Sequence, residues 1–185
     1  MAEARAEGEA ATDVALIARW MGGDERAATE LVARHAPALA RFVASSARWE
    51  DVDDVVQDTF VGAFASLATF RGESSLRTWL FTIARRLLVD RGRATGRGAA
   101  EVPLTEGDAV TDFGALDGLI ATETEGRLGA ALRRLTATQR DVFSLRVGDG
   151  LSYKEIAAVL GTTEGAARVH YHNAVRALKE SVDDE

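Results

Sequence analysis

The chain has 185 residues, 46% of them hydrophobic, with no cysteine, two prolines and a formal net charge of −7. That length allows one domain or two small ones with modest cores, and the missing cysteines exclude a disulfide framework and thiolate metal sites. No apolar run approaches the roughly 20 residues of a membrane span, and the acidic, alanine-rich N-terminus lacks the basic start and hydrophobic block of a secretory signal. A cytoplasmic protein without membrane insertion is expected. Proline is scarce and strand-like alternation is missing, so the fold class is all-α: two small helical domains joined by a flexible linker.

In chain order, residues 1–11 read as a disordered tail. Thr12 or Asp13 can cap a short helix through Trp20, stopped by Gly22 and Gly23. Asp24 opens a longer helical stretch with Ala27, Leu31, Ala38, Leu39, Phe42 and Val43 as its core side. Pro37 falls inside it and should bend or interrupt the helix, because its ring removes a backbone donor and crowds the preceding turn. His35 has no second ligand at metal spacing and reads as structural or solvent-facing.

Residues 51–93 read as two amphipathic helices joined by a short loop. In the first, Val52, Val55, Val56, Ala63, Phe64 and Leu67 form a core stripe, while Asp51, Asp54 and Asp58 at i, i+3 and i+7 share another face. In the second, Leu76, Trp79, Leu80, Ile83 and Leu87 form the stripe. Arg77 and Arg85 should point away from it with Thr78 and Thr82 nearby, and Arg86, Arg91 and Arg93 thicken the positive end. Trp79 is expected in the core; Phe81, on the Arg85 side, admits either DNA contact or packing on another helix. The loop 70–75 holds Gly72 for an unusual backbone angle and Ser74 and Ser75 as caps. An acidic face beside a basic one suits a positive protein surface and a nucleic acid. Two solvated helix faces would carry the same charges.

Residues 95–126 lose periodicity and carry seven acidic side chains against one basic, −6 of the net −7. Gly, Thr and Pro103 mark a linker, with Phe113 and Leu116 as a weak hint of an anchor. In 127–185, Thr136 and Gln139 frame a capping box before a helix with Val142, Phe143 and Leu145, ended by Gly148, Asp149 and Gly150. Ser152 and Glu155 frame a second box, opening a short helix with Ile156, Val159 and Leu160 inside. Gly161 is the turn, and a last helix runs from about Thr163 to Lys179. Short helix, glycine turn, longer helix is a helix-turn-helix, although a helical hairpin with a solvated face has the same pattern. The buried stripe of the last helix is Ala167, Tyr171, Ala174 and Leu178. Its other side presents Gly165, Val169, His172, Asn173 and Arg176, with Arg168 on the flank: little bulk, then side chains able to reach base edges in a major groove. His170 and His172 are two apart and diverge, so no zinc pair is expected, and no cofactor is implied.

The strings DDVVQDTF at 53–60 and FRGESSLRTWLFTIAR at 70–85 resemble region 2 of the extracytoplasmic-function sigma factors of bacteria, and 135–179 resembles region 4 of the same family. The resemblance implies region 2 over 12–94, a linker over 95–126 and region 4 over 127–185. It implies that Asp54, Gln57 and Asp58 bind core RNA polymerase. It assigns the melted −10 strand to Phe70, Arg71, Ser74, Ser75, Arg77 and Arg85, and the duplex −35 element to Gly165, Arg168, Val169, His172, Asn173 and Arg176. Melted bases need stacking surfaces, hydrogen-bond partners and cations along the backbone, which those residue types supply. An anti-sigma factor is the implied regulator, and the acidic linker would either tether the domains or thread through polymerase toward the RNA exit path. The last helix departs from the family pattern: where many members carry a Thr-Val-Lys-Ser-Arg-Leu-type run, this chain has Ala166, Ala167, Arg168, Val169, His170 and Tyr171.

Neither flank of the linker is basic overall, so weak affinity of the free chain for DNA is expected, since phosphate neutralisation supplies most non-specific binding. No ordering of nucleophile, base and acid points to catalysis, and the Gly-rich stretch 92–98 lacks the strand-turn-helix setting of a phosphate loop. A stand-alone helix-turn-helix regulator and a protein-binding helical module are the competing readings; only the sigma factor requires polymerase.

Overall fold

The structure, a computed structural model, describes residues 2–46, 52–94, 132 and 134–183, with side chains over 12–46, 52–94, 132 and 134–180. Among these residues every regular element is helical. The chain forms two compact units, divided after Leu88. The expectations for the linker, including Phe113 and Leu116, and for Asp51 lie outside the described residues.

In the first unit α1 (Ala2–Met21) turns at Gly22 and Gly23 into α2 (Glu25–Ser46). Gly23 takes φ 91°, open to a residue without a Cβ. Arg19 locks the corner, donating Nε to Asp24 at 2.9 Å and Nη2 to Glu30 at 3.0 Å. α1 begins well before the start expected at Thr12 or Asp13 and takes up residues assigned to a disordered tail. Asp13 is therefore mid-helix and buried, and accepts a hydrogen bond from the equally buried His35 at 3.0 Å. Arg34 Nε lies 3.6 Å from the other Asp13 oxygen. His35 thus ties α1 to α2. α2 runs unbroken through Pro37, which sits on its exposed side. There the Ala33 carbonyl that loses its donor faces water, so the proline is tolerated.

α3 (Val52–Ser66) ends in a 3-10 turn (Leu67–Thr69), and after a short loop α4 (Leu76–Ala94) follows. α2 packs against α1 and α3. The centre is Phe42 against Phe81, both fully buried, with ring centroids 5.4 Å apart at 84°. Burying one such ring contributes about 1.5–3 kcal/mol, and the edge-to-face geometry suits the ring quadrupoles. Trp20 of α1 meets Phe64 of α3 at 5.2 Å. The buried side of α4 is Leu76, Thr78, Leu80, Phe81 and Ala84, rotated by somewhat under the ~100° between successive helix residues from the expected stripe. Trp79, Ile83 and Leu87 are only half-buried, and Phe81 is core, not surface. The reason is local: Ser75 Oγ lies 2.9 Å from Thr78 Oγ1, so that hydroxyl can be buried with a partner.

The second unit holds α5 (Ala137–Phe143), a π-helical turn (Ser144–Gly148), α6 (Tyr153–Leu160) and α7 (Glu164–Asp183). Both capping boxes form. Thr136 N–H donates to Gln139 Oε1 at 3.1 Å and Gln139 N–H to Thr136 Oγ1 at 3.3 Å. Ser152 N–H donates to Glu155 at 2.8 Å, and Glu155 N–H returns to Ser152 Oγ at 3.3 Å. Gly161 ends α6 in the left-handed region, φ 67° and ψ 37°, and Thr163 Oγ1 accepts from Ala166 N–H at 3.1 Å to start α7. α7 packs across α5 and α6, placing Ala174 and Leu178 in one cluster with Leu135 and Phe143; Ala167, Val142, Leu145 and Ile156 are also buried.

Candidate protein and nucleic-acid interfaces

On α3, Val52, Val55 and Ala63 face the core, and Thr59 joins them fully buried because its hydroxyl donates to Val55 O at 2.7 Å. The opposite side places Asp54, Gln57 and Asp58 together, all exposed. Val61 completes the i, i+3, i+4, i+7 set and is 62% exposed. An exposed valine among carboxylates suits a partner surface that is positive at its rim and apolar at its centre. The sequence reading missed Val61, although a valine seven residues after Asp54 and outside the core stripe was the available signal.

The loop 70–75 and the start of α4 bring the next candidates together. Ser75 caps α4, its Oγ accepting from Thr78 N–H at 3.1 Å, while Ser74 Oγ donates to Ser75 O at 3.3 Å. Gly72 takes φ 71° at the exposed tip beside the exposed Arg71. Phe70 is half-buried, its ring 5.1 Å from that of Trp79. Trp79, expected in the core, thus joins the loop as a partly open aromatic surface. Arg77 and Arg85 do not stand clear of the buried side as expected. Both are half-buried, and the Arg77 guanidinium lies 5.8 Å from the Phe81 ring centroid. Arg86 and Arg93 are exposed.

In the second unit Gly165, Arg168 and Arg176 are exposed on α7, while Val169, His172 and Asn173 are half-buried beside them. Arg176 Nη2 reaches Asn173 Oδ1 at 3.4 Å, and Arg168 pairs with Glu164 at 3.0 Å. Tyr171 stacks on Phe143 with centroids 6.3 Å apart, and burial raises its phenol pKa. His170 departs from the expected stripe: it is 8% exposed, and its Nδ1 meets no hydrogen-bond partner among the described residues. Desolvation pushes its pKa below the ordinary histidine value. With Gly165 offering no side chain and the cations flanking it, the exposed side of α7 has the relief of a groove-entering helix. Among the described residues no three His, Asp or Glu side chains gather where a metal could sit, and no helix is long and apolar enough to cross a membrane.

Comparison with known proteins matches both units. Residues 31–98 match the Sigma-70 region 2 family and residues 125–178 the Sigma-70 region 4 family. The ECF RNA polymerase sigma-E factor of Escherichia coli K12 is 32% identical over 185 residues, covering 94% of this chain and 96% of that protein. The Haemophilus influenzae sigma-E factor is 28% identical over 183 residues, covering 94% and 97%. Among solved structures, CnrH in complex with the cytosolic domain of CnrY superposes with a TM-score of 0.68 at 30% identity, covering 94% of this chain and 98% of that one. The sigma factor RpoE in complex with the anti-sigma factor NepR from Bartonella quintana gives 0.62 at 28%, covering 84% and 96%.

Proposed function

The chain belongs to the extracytoplasmic-function sigma factors of the sigma-70 family, and on that premise we propose that it is an alternative sigma factor that binds core RNA polymerase and directs promoter-specific initiation. The observation that carries this reading is the pairing of region 2 over 31–98 with region 4 over 125–178 in one chain. Under it, residues 12–94 serve the polymerase and the −10 element, 95–126 connect, and 127–185 serve the −35 element. The protein acts in the cytoplasm, where polymerase works, as an initiation factor and not as an enzyme.

Asp54, Gln57 and Asp58, with Val61 one turn further along the same face, dock on a positive surface of polymerase. The carboxylates orient the approach, and the valine contributes apolar burial once water is excluded. Phe70 and Trp79 offer stacking surface to unpaired bases, Arg71 and Arg77 meet the strand's phosphates, Ser74 lies in the loop before α4, and Arg85 adds a cation further along the helix. Ser75 contributes by capping α4 and so fixing the loop. On α7, Gly165 lets backbone approach the duplex, and Arg168, Val169, His172, Asn173 and Arg176 face the groove. Duplex binding at −35 places the −10 segment, and trapping unpaired bases makes melting favourable without any covalent step.

Control falls to an anti-sigma factor. CnrH and RpoE were each solved with a second protein bound, the latter named as anti-sigma; the same faces of this chain are available for such a partner. Purification with core polymerase followed by run-off transcription on a fragment library tests the reading. Co-elution and discrete start sites are expected. Failure to bind polymerase, with tight duplex binding by the protein alone, would transfer the case to a stand-alone regulator.

A further inference from the structure

Tyr153, the first residue of α6, is half-buried and has no role in the account above. Two guanidiniums share its ring: Arg146 at 4.8 Å from the centroid and Arg168 at 5.3 Å. Arg146 is held from the backbone side, its Nη1 donating to Leu151 O at 2.8 Å. Arg168 comes from α7 and donates Nη2 to Glu164 Oε1, one helical turn earlier, at 3.0 Å. The ring itself is anchored, meeting Tyr171 with centroids 5.9 Å apart at 65°, and Tyr171 stacks on Phe143. Arg168 therefore rests on an aromatic chain that runs into the core, yet its side chain remains 47% exposed.

We propose that Tyr153 and Glu164 are positioning residues for Arg168, holding its guanidinium poised to read one base pair of the duplex −35 element, with guanine as the base its geometry suits. This inference rests on the sigma-factor reading. An exposed arginine ordinarily samples many rotamers, and ordering it on binding opposes affinity. Here the guanidinium carbon lies 5.3 Å from the ring centroid, within reach of a cation–π contact that restrains it. Glu164 takes one of five N–H donors. The remaining donors include pairs that can meet guanine O6 and N7 together. The α6 N-terminus is not a competing anion site, because the Glu155 carboxylate already occupies it.

The test uses holoenzyme assembled from the full chain and its cognate core polymerase, selecting bound promoters from a library randomised across the −35 region. Wild type is compared with Arg168→Ala, Tyr153→Leu, Tyr153→Phe and Glu164→Gln. Arg168→Ala should flatten base preference at one position, by roughly tenfold for a lost bidentate contact. Tyr153→Leu should flatten the same position by about three- to fivefold, and Glu164→Gln by less. Tyr153→Phe, which keeps the ring, should retain the preference. Thermal unfolding of each variant separates these effects from misfolding; if Tyr153→Leu does not fold, Glu164→Gln, which alters only the surface, decides. The inference is overturned if preference at the Arg168 position survives in Tyr153→Leu and Glu164→Gln, or if Arg168→Ala alters no position. A loss spread evenly over all sequences also overturns it, since that marks a phosphate contact. Wild-type holoenzyme with no −35 preference at all would overturn the underlying reading, an outcome visible before any variant is made.

Discussion

Thr59, Thr78 and His170 are polar side chains in the core, and each is there for a different local reason. Thr59 satisfies its hydroxyl on the carbonyl one turn back, and Thr78 pairs with the capping Ser75. A residue-by-residue count of apolar character cannot place them, because burial follows from a hydrogen bond that the count does not contain. His170 sits beside the Ala167 and Ala174 stripe with Nδ1 lacking a partner among the described residues, so the fold favours its neutral form. Its pKa is therefore lower folded than unfolded, where it titrates near the ordinary ~6.5. The unfolded chain then binds the extra proton more readily, and stability rises with pH across the window. This contribution is complete above about pH 6.5 and is lost as the pH falls below it. Thermal unfolding between pH 7.5 and 5 should show the decline, and His170→Leu should reduce its slope; an unchanged slope would remove His170 as the cause. Asp13 and His35 make a further buried polar contact. Replacing Asp13 with Ala should cost about 2–3 kcal/mol by leaving His35 without its partner, measured as a shift in the urea midpoint at constant m-value.

At the scale of the element, the capped ends of α5 and α6 were easier to read than the faces of α4. Thr136 with Gln139 and Ser152 with Glu155 form the boxes that their spacing implies, and Gly161 takes the left-handed angle that a tight turn requires. Caps depend on a few neighbours in sequence, so local chemistry settles them. Faces depend on what lies opposite. α4 presents Phe81 to Phe42, one of the two placements its position allowed, and leaves Trp79, expected in the core, half-open against Phe70. Two substitutions separate these levels. Gly161→Ala should destabilise by more than about 1 kcal/mol, because alanine strains at φ 67°. Phe81→Ala should cost about 3–5 kcal/mol through the cavity it leaves in the first unit. Denaturant titration of the purified chain reads both; a loss under 1 kcal/mol for Phe81→Ala would contradict its central place.

At the scale of the whole molecule, charge is unevenly distributed along the chain. The second unit carries cations on α7, α3 carries an acidic face that ends at Val61, and 95–126 hold most of the net −7. A chain with this balance should bind promoter duplex weakly by itself and far more tightly within holoenzyme, because the polymerase supplies most phosphate neutralisation. Gel-shift titration with and without core polymerase measures the difference. The joint substitution Asp54→Arg and Asp58→Arg should abolish co-elution with polymerase while leaving the unfolding free energy within about 0.5 kcal/mol of wild type, since exposed charges contribute little to stability. Retained co-elution would move the docking surface elsewhere.

The all-α class, the order of region 2 and region 4, the capping boxes and the shared face of Asp54 and Asp58 on α3 were all legible in the amino-acid sequence. They rest on periodicity, short-range hydrogen-bonding chemistry and motif order, which act within a few residues or survive as strings. Tertiary structure alone decided that α1 extends to Ala2, that His35 pairs with Asp13, that α2 passes through Pro37, and that Phe81 is core while Trp79 joins the loop. It also brought Arg146 and Arg168 onto the ring of Tyr153. The placements of His35, Phe81 and Arg168 are contacts between side chains of different helices. Such contacts are chosen by packing and by the satisfaction of buried polar groups, which no local pattern records.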